Sequence, residues 1–111
     1  MRIAVPVSEN VLSPHFGHCQ EFALFCADEN KKITAEERLA PPKHEPGILP
    51  QWLGGLSVNT VIAGGMGTRA QQLFTANNID VVVGAPSQEP REVVEAYLAG
   101  QLQCGDNVCD H

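Results

Sequence analysis

The hydrophobic positions of this chain change period several times, and each change predicts a new element. Arg2 to Val7 is a short apolar run closed by Ser8-Glu9-Asn10, the pattern of a strand entering a loop. From Val11 to Cys19 neither period holds, and loops of this kind carry function more often than the elements they join. Phe22–Cys26 and Ile33–Leu39 flank the polar turn Asp28-Glu29-Asn30-Lys31 and predict a β-hairpin. The Pro-rich connection Ala40–Gly47 leads to a short helix over Ile48–Leu53, with Pro50 in its first turn and Gly54-Gly55 as its stop.

Strand and helix then alternate. Thr60–Ala63 reads as a strand, Gly64–Gly67 as a turn, and Thr68–Asn77 as a helix with Ala70, Leu73 and Phe74 on one face and Asn78 as its end. Ile79–Val83 is the next strand, and Ser87–Leu98 a helix with Pro90 in its first turn. Its apolar stripe is Val93, Val94, Tyr97 and Leu98, and Gly100 stops it. Strands that are apolar on both faces and joined by helices imply a parallel arrangement covered by helices. Gln101–His111 has no period, and no internal repeat or low-complexity segment is found.

With 111 residues, 43% hydrophobic and 18% charged, the chain has the composition of one globular domain whose core suffices without disulfides or a structural metal. Seven Lys and Arg against thirteen Asp and Glu give a net charge of −6, which argues against nucleic-acid and anionic-membrane partners. No secretion signal and no apolar run of the ~18 residues that a membrane span needs is seen, so a cytoplasmic location is expected. Cys19, Cys26, Cys104 and Cys109 are then expected to be thiols.

Three groups of residues carry candidate chemistry. His15, His18 and Cys19 place imidazole and thiol groups within five residues of one loop, a set suited to zinc, iron, copper or an iron-sulfur cluster. Cys104-x4-Cys109-x-His111 fits neither a zinc ribbon nor a ferredoxin run, but eleven extended residues reach ~35 Å, enough to return across a small domain. Gly64-Gly65-Met66-Gly67-Thr68-Arg69-Ala70 contains G-x-G-x-x-A between strand and helix, without the acidic residue expected about 20 positions later in a dinucleotide site. Its plainer readings are a tight turn needing glycine dihedrals, or an anion cradle of amides at a helix start helped by Arg69. In a parallel sheet the first loop and the glycine turn would emerge at one edge and face one crevice.

Other residues have structural readings. Cys26 is expected to be core filler, Trp52 a packing anchor and His44 a solvated loop residue. Glu36, Glu37 and Glu45 form no acid/base couple, and no G-x-S-x-G, P-loop or HExxH pattern is present.

The series Ser13-Pro14-His15-Phe16-Gly17-His18-Cys19, hairpin, Leu49-Pro50-x-Trp52-Leu53 and Val61-Ile62-Ala63-Gly64-Gly65-Met66-Gly67-x-x-Ala70 resembles the dinitrogenase iron-molybdenum cofactor biosynthesis family. That family includes NifX-type carriers and the C-terminal domain of NifB. The resemblance covers residues 1–100 and leaves 101–111 as a Cys/His-containing tail. It implies a ribonuclease H-like three-layer α/β/α fold with a mixed five-stranded sheet, and a non-catalytic protein that transiently carries an iron-sulfur or molybdenum-containing cluster. His15, on the family's HFG motif, is the cluster contact it implies. Nuclease activity is not expected, because two-metal nucleases need a carboxylate on the first strand and Arg2–Val7 has none.

The leading expectation is a cluster-binding module that uses His15, His18 and Cys19, joined by Cys104, Cys109 and His111. Gly64, Gly65, Gly67 and Arg69 would offset the cluster's negative charge. Its partners would be cluster donor and acceptor proteins, and the chain a monomer or weak homodimer. A nucleotide-binding regulatory domain built on the Gly64–Gly67 turn is the alternative, and a thiol redox protein, which lacks C-x-x-C, a third.

Overall fold

A computed structural model describes residues 1–14, 16, 19–42 and 48–105. Strand β1 (Arg2–Ser8) is the axis of the sheet, paired antiparallel to β2 (Val11–Leu12) and β3 (Glu21–Ala27) and parallel to β5 (Thr60–Ile62). Strand β4 (Ile33–Leu39) completes the hairpin with β3, and β6 (Asp80–Val82) lies parallel to β5. The order is β4-β3-β1-β5-β6, with β2 off this path. The helices are α1 (Ile48–Gly55), α2 (Thr68–Ala76) and α3 (Pro90–Leu98).

Period-two alternation sends the apolar residues of each central strand to two separate cores. Ile3, Val5 and Val7 of β1, Ala23 and Phe25 of β3 and Ile62 of β5 meet Val93, Val94 and Leu98 of α3 on one face. Ala4, Phe22, Leu24 and Val61 point the other way, against Leu49 and Leu53 of α1 and Phe74 of α2. The sheet is therefore the middle of three layers, as expected for nearly continuous apolar strands. Among the described residues no helix is long and apolar enough to cross a membrane.

The sheet has six strands rather than five. Glu9 and Asn10 both take positive φ (53° and 68°), so the chain reverses in two residues and Val11 and Leu12 pair back onto Ser8 and Val7. Only Asn10 advertises such a turn; Glu9 does not, and Val11–Leu12 is too short to show a period. Helix α3 starts at Pro90 rather than Ser87, because the residue before a proline is held extended: Glu89 has φ −57° and ψ 132°. Helix α1 runs through Gly54 and Gly55, and the chain leaves it at Ser57, with φ 64°.

At one edge, β4 is polar on both faces and exposed over Thr34–Arg38. Arg38 pairs with Glu21 (2.8 Å), Arg91 of α3 with Glu36 (3.2 Å) and Arg2 with Glu37 (3.3 Å). Such solvated pairs add little stability, but a charged edge strand resists pairing with another chain.

Phe74 carries much of the α2 contact. It is fully buried, packs edge-on to Phe16 at 5.4 Å, and its carbonyl accepts from the Asn77 and Ile79 amides that close the helix. Phe74→Ala is expected to destabilise the chain by about 3–5 kcal/mol in denaturant unfolding. A loss below about 1 kcal/mol would refute the view that α2 and the first loop are held through this ring.

Candidate functional site at the carboxyl edge of the sheet

Because β1, β5 and β6 run parallel, the segments that follow them emerge at one edge. The first loop has both feet on β1, since the Ser13 N–H donates to the Pro6 carbonyl (2.8 Å) and the Gln20 N–H to the Val7 carbonyl (2.8 Å). Between these feet the Phe16 N–H donates to the Gly65 carbonyl (2.9 Å). The Phe16 ring, 7% exposed, sits edge-on to Phe22 (5.8 Å) as well as to Phe74. The loop is thus anchored by an aromatic plug and three backbone hydrogen bonds. It is also tied to the segment after β6, where the Leu12 N–H donates to the Gln88 carbonyl (2.9 Å).

Cys19 lies at the returning foot, half-buried and packed against the core on the α1/α2 side. Burial pushes its thiol up to about 11, partly offset by a backbone hydrogen bond. Its neighbours His15 and His18 lie outside the described residues, as do Gly17 and His44. Cys26 is half-buried in β3, less completely enclosed than core filler would be.

The glycine turn is buried at Gly64, Gly65 and Met66. Its glycines are not there for unusual dihedrals. Gly67 has φ −65° and ψ 154°, and the positive-φ glycines among the described residues are Gly84 and Gly100. Gly64 serves close approach instead: a Cβ there would stand 3.0 Å from Pro14 Cα and 3.1 Å from the Ser13 carbonyl oxygen. Gly64 stands one residue before the G-x-G-x-x-A stretch, whose first glycine, Gly65, has its carbonyl engaged by the Phe16 N–H of the first loop (2.9 Å). Arg69 is exposed in the first turn of α2, whose N-cap, Gly67, makes no side-chain cap.

The same edge receives the start of the C-terminal tail. Gly100, with φ 73°, turns the chain out of α3 as its N–H donates to the Tyr97 carbonyl (3.0 Å). Leu102 packs on the α3-side core, and the Gly105 N–H then donates to the Gly84 carbonyl (2.6 Å). The Gly84 N–H in turn donates to the Gly64 carbonyl (2.6 Å). Pro14, Gly64, Gly84 and Gly105 therefore form a row of four backbone segments in contact.

Cys104, exposed, is next to the last member of this row, whereas Cys109 and His111 lie outside the described residues. The row has its own signal in the sequence. In the β5–β6 register every pair differs by twenty positions, Ile62 facing Val82, and the same offset pairs Gly64 with Gly84. A glycine two residues beyond each of two successive apolar strands marks neighbouring close approaches, and Gly84 is the close approach that the glycine motif alone does not point to.

The geometry does not assemble a single-ion centre from described residues. No three His, Cys, Asp or Glu side chains among them converge. Cys19 enters β3, whereas Cys104 reaches the row beyond β6; three inter-strand steps of ~4.8 Å put about 14 Å between those strands. Donors to one ion must each lie within ~2.3 Å of it. What the described residues show is one thiol toward each end of this span, Cys19 and Cys104, and an exposed Arg69 in the first turn of α2, the helix that follows β5.

The profile of the dinitrogenase iron-molybdenum cofactor family matches residues 1–100. An uncharacterized protein of Methanocaldococcus jannaschii is 32% identical over 108 residues, covering 93% of this chain and 90% of its own length. The crystal structure of the protein PH0822 is similar at TM-score 0.86 and 28% identity, covering 94% of both chains. The apo form of the orange protein from Desulfovibrio gigas shares the fold at TM-score 0.72 and 24% identity, covering 96% of this chain and 93% of that one. The ordered motifs, the sheet and its carboxyl edge thus agree with a profile match spanning nearly the whole length: the chain belongs to the dinitrogenase iron-molybdenum cofactor family.

Proposed function

We propose that this chain is a non-catalytic carrier that takes an iron-sulfur or molybdenum-containing cluster from a donor protein and passes it to an acceptor, with the cluster as cargo. The observation that carries this reading is the meeting of the first loop, the glycine turn and the start of the C-terminal tail in one row at the carboxyl edge of the sheet. Imidazoles of His15 and His18 and the thiol of Cys19 are its ligands at one end. Cys104, Cys109 and His111 are its ligands at the other, on a tail distinct from the 1–100 domain. Gly64, Gly65, Gly67 and Arg69 form the wall between them, with Arg69 as the local cation that a chain of net charge −6 needs to hold an anionic cluster. We read the three layers as ribonuclease H-like and the setting as cytoplasmic, where thiols stay reduced. A monomer or weak homodimer suffices for this role. The acidic balance argues against nucleic acid and anionic membrane as partners.

Anaerobically purified protein, incubated with iron, sulfide and molybdate, is expected to retain stoichiometric metal and show charge-transfer absorption. The combined variant His15→Ala and Cys19→Ala should lose both while keeping its far-ultraviolet circular dichroism. A colourless, metal-free wild type under every condition would overturn the reading.

The Cys19 thiol sets a pH dependence. As a ligand it must shed its proton, so its share in cluster uptake grows as pH rises toward about 11. In the cluster-free protein at pH 8 roughly one Cys19 in a thousand is thiolate, against about a quarter of ordinary thiols with pKa ~8.5. Cys104, exposed where Cys19 is half-buried, should react with iodoacetamide at least tenfold faster than Cys19 at pH 8, with the Cys19 rate climbing about tenfold per pH unit up to pH 10. Equal rates in the two single-cysteine variants would show that Cys19 is not shielded as described.

A further inference from the structure

Helix α3 ends at the edge opposite the site, so the chain must cross the sheet's height before its last cysteines can contribute. It does so in the five residues from Gln101 to Gly105. Gly100 reverses the direction, with the Gln101 N–H donating to the Ala96 carbonyl (2.8 Å), and Leu102 fixes the middle of the crossing on the α3-side core. Among the described residues, the hydrogen bond from Gly105 to Gly84 holds the far end.

Gly84 accepts this segment for two separate reasons. Its φ of 79° is one that residues with a side chain rarely adopt. A Cβ there would collide with the Gly105 carbonyl oxygen and come within 2.8 Å of its carbon and 3.1 Å of its nitrogen. At the partner position, Gly105, the nearest atom to a Cβ among the described residues is the Gly84 oxygen at 3.8 Å. The restriction therefore belongs to Gly84. Gly84 also donates to Gly64, which lies against Pro14 of the first loop, so the seat of the tail and the wall of the first loop are one continuous backbone structure.

We infer that Gly84 is a positioning residue that seats the C-terminal segment on the carboxyl edge, so that Cys104 faces the same margin as the first loop and the cargo site is bipartite. This inference rests on the carrier reading. Its consequence is a division of labour among the described residues: the loop half is anchored at three backbone points and by Phe16, whereas Gln101–Gly105 is held by the Gly105 hydrogen bond and by Leu102. The Gln101–Gly105 half is then the one expected to release first, which suits it to follow the cargo toward an acceptor.

The test compares the full-length wild type with Gly84→Ala, Cys104→Ser, a chain stopped after Gln103, and Gly54→Ala, where a Cβ meets nothing within 4 Å. Two readouts are taken: hydrogen exchange of the Gly105 amide in the metal-free protein, and the rate at which an iron chelator strips protein reconstituted with ferrous iron and sulfide. Gly84→Ala is expected to speed Gly105 exchange at least tenfold. It should also speed iron loss at least tenfold, to the rate seen with Cys104→Ser and the stopped chain, while Gly54→Ala matches wild type. Wild-type iron retention in the stopped chain, or in a Gly84→Ala protein whose Gly105 amide has become unprotected, would overturn the bipartite site and leave the carrier reading standing. A wild type that takes up no iron would overturn the carrier reading and this inference with it. If Gly84→Ala fails to fold, as judged by circular dichroism, Cys104→Ser and the stopped chain decide.

Discussion

Backbone can lie against backbone at the carboxyl edge of the sheet only because Gly64 and Gly84 project no side chain. At Gly64 the neighbour is Pro14 of the first loop, and at Gly84 it is Gly105 of the tail. A methyl group at either site would separate two segments that otherwise share one margin. Interiors packed at near-crystalline density do not absorb such an addition without shifting a neighbour, and here the neighbours are main chain rather than flexible side-chain ends. The constraint is therefore geometric before it is chemical. It decides which segments meet, and the donors on those segments inherit their positions from it.

Electrostatics work within that frame. The chain carries six more negative than positive charges, and several of its arginines are already engaged: Arg2, Arg38 and Arg91 pair with Glu37, Glu21 and Glu36 around the hairpin and α3. Arg69 stands apart from that group, in the first turn of α2 directly after the glycine turn. A cation at that place, beside the positive end of a helix dipole, opposes the overall field where a negatively charged group would rest on the edge. The effect is local, because at physiological salt it decays over ~8 Å.

Much of this was legible in the sequence, and the exceptions have particular causes. The hairpin, the alternating strands and helices and the convergence of loops at one edge follow from runs such as Phe22–Cys26 and Ile79–Val83, whose burial on both faces leaves little choice of layer. Strand β2 was hidden because its turn places a glutamate, Glu9, at positive φ. The depth of Cys19 was hidden as well, because it depends on the pairing of Gln20 with Val7, a contact across thirteen residues that no local pattern encodes. Gly64 was legible as a special glycine but for the wrong reason, since its φ is ordinary and its neighbour is not. Gly84 makes sense only with residue 105 in place. Of the proposed ligands, His15, His18, Cys109 and His111 lie outside the described residues, so their chemistry rests on sequence alone.

The spread of the donors bears on what kind of binding the edge can offer. A structural metal is held by ligands that close around one ion, and the binding energy then becomes folding energy. Here the two described cysteines at the edge stand three inter-strand steps apart, and the fully buried members of the two cores include neither of them. In the proposed carrier, folding would not wait for the cargo. Each donor that engaged a group at this edge would add contact energy without having to hold the protein together, so partial disengagement of the tail would cost cargo affinity alone. A protein that must both keep and surrender a group needs that separation between fold stability and hold on the cargo, and a preformed sheet edge with one firmly anchored and one lightly held segment supplies it.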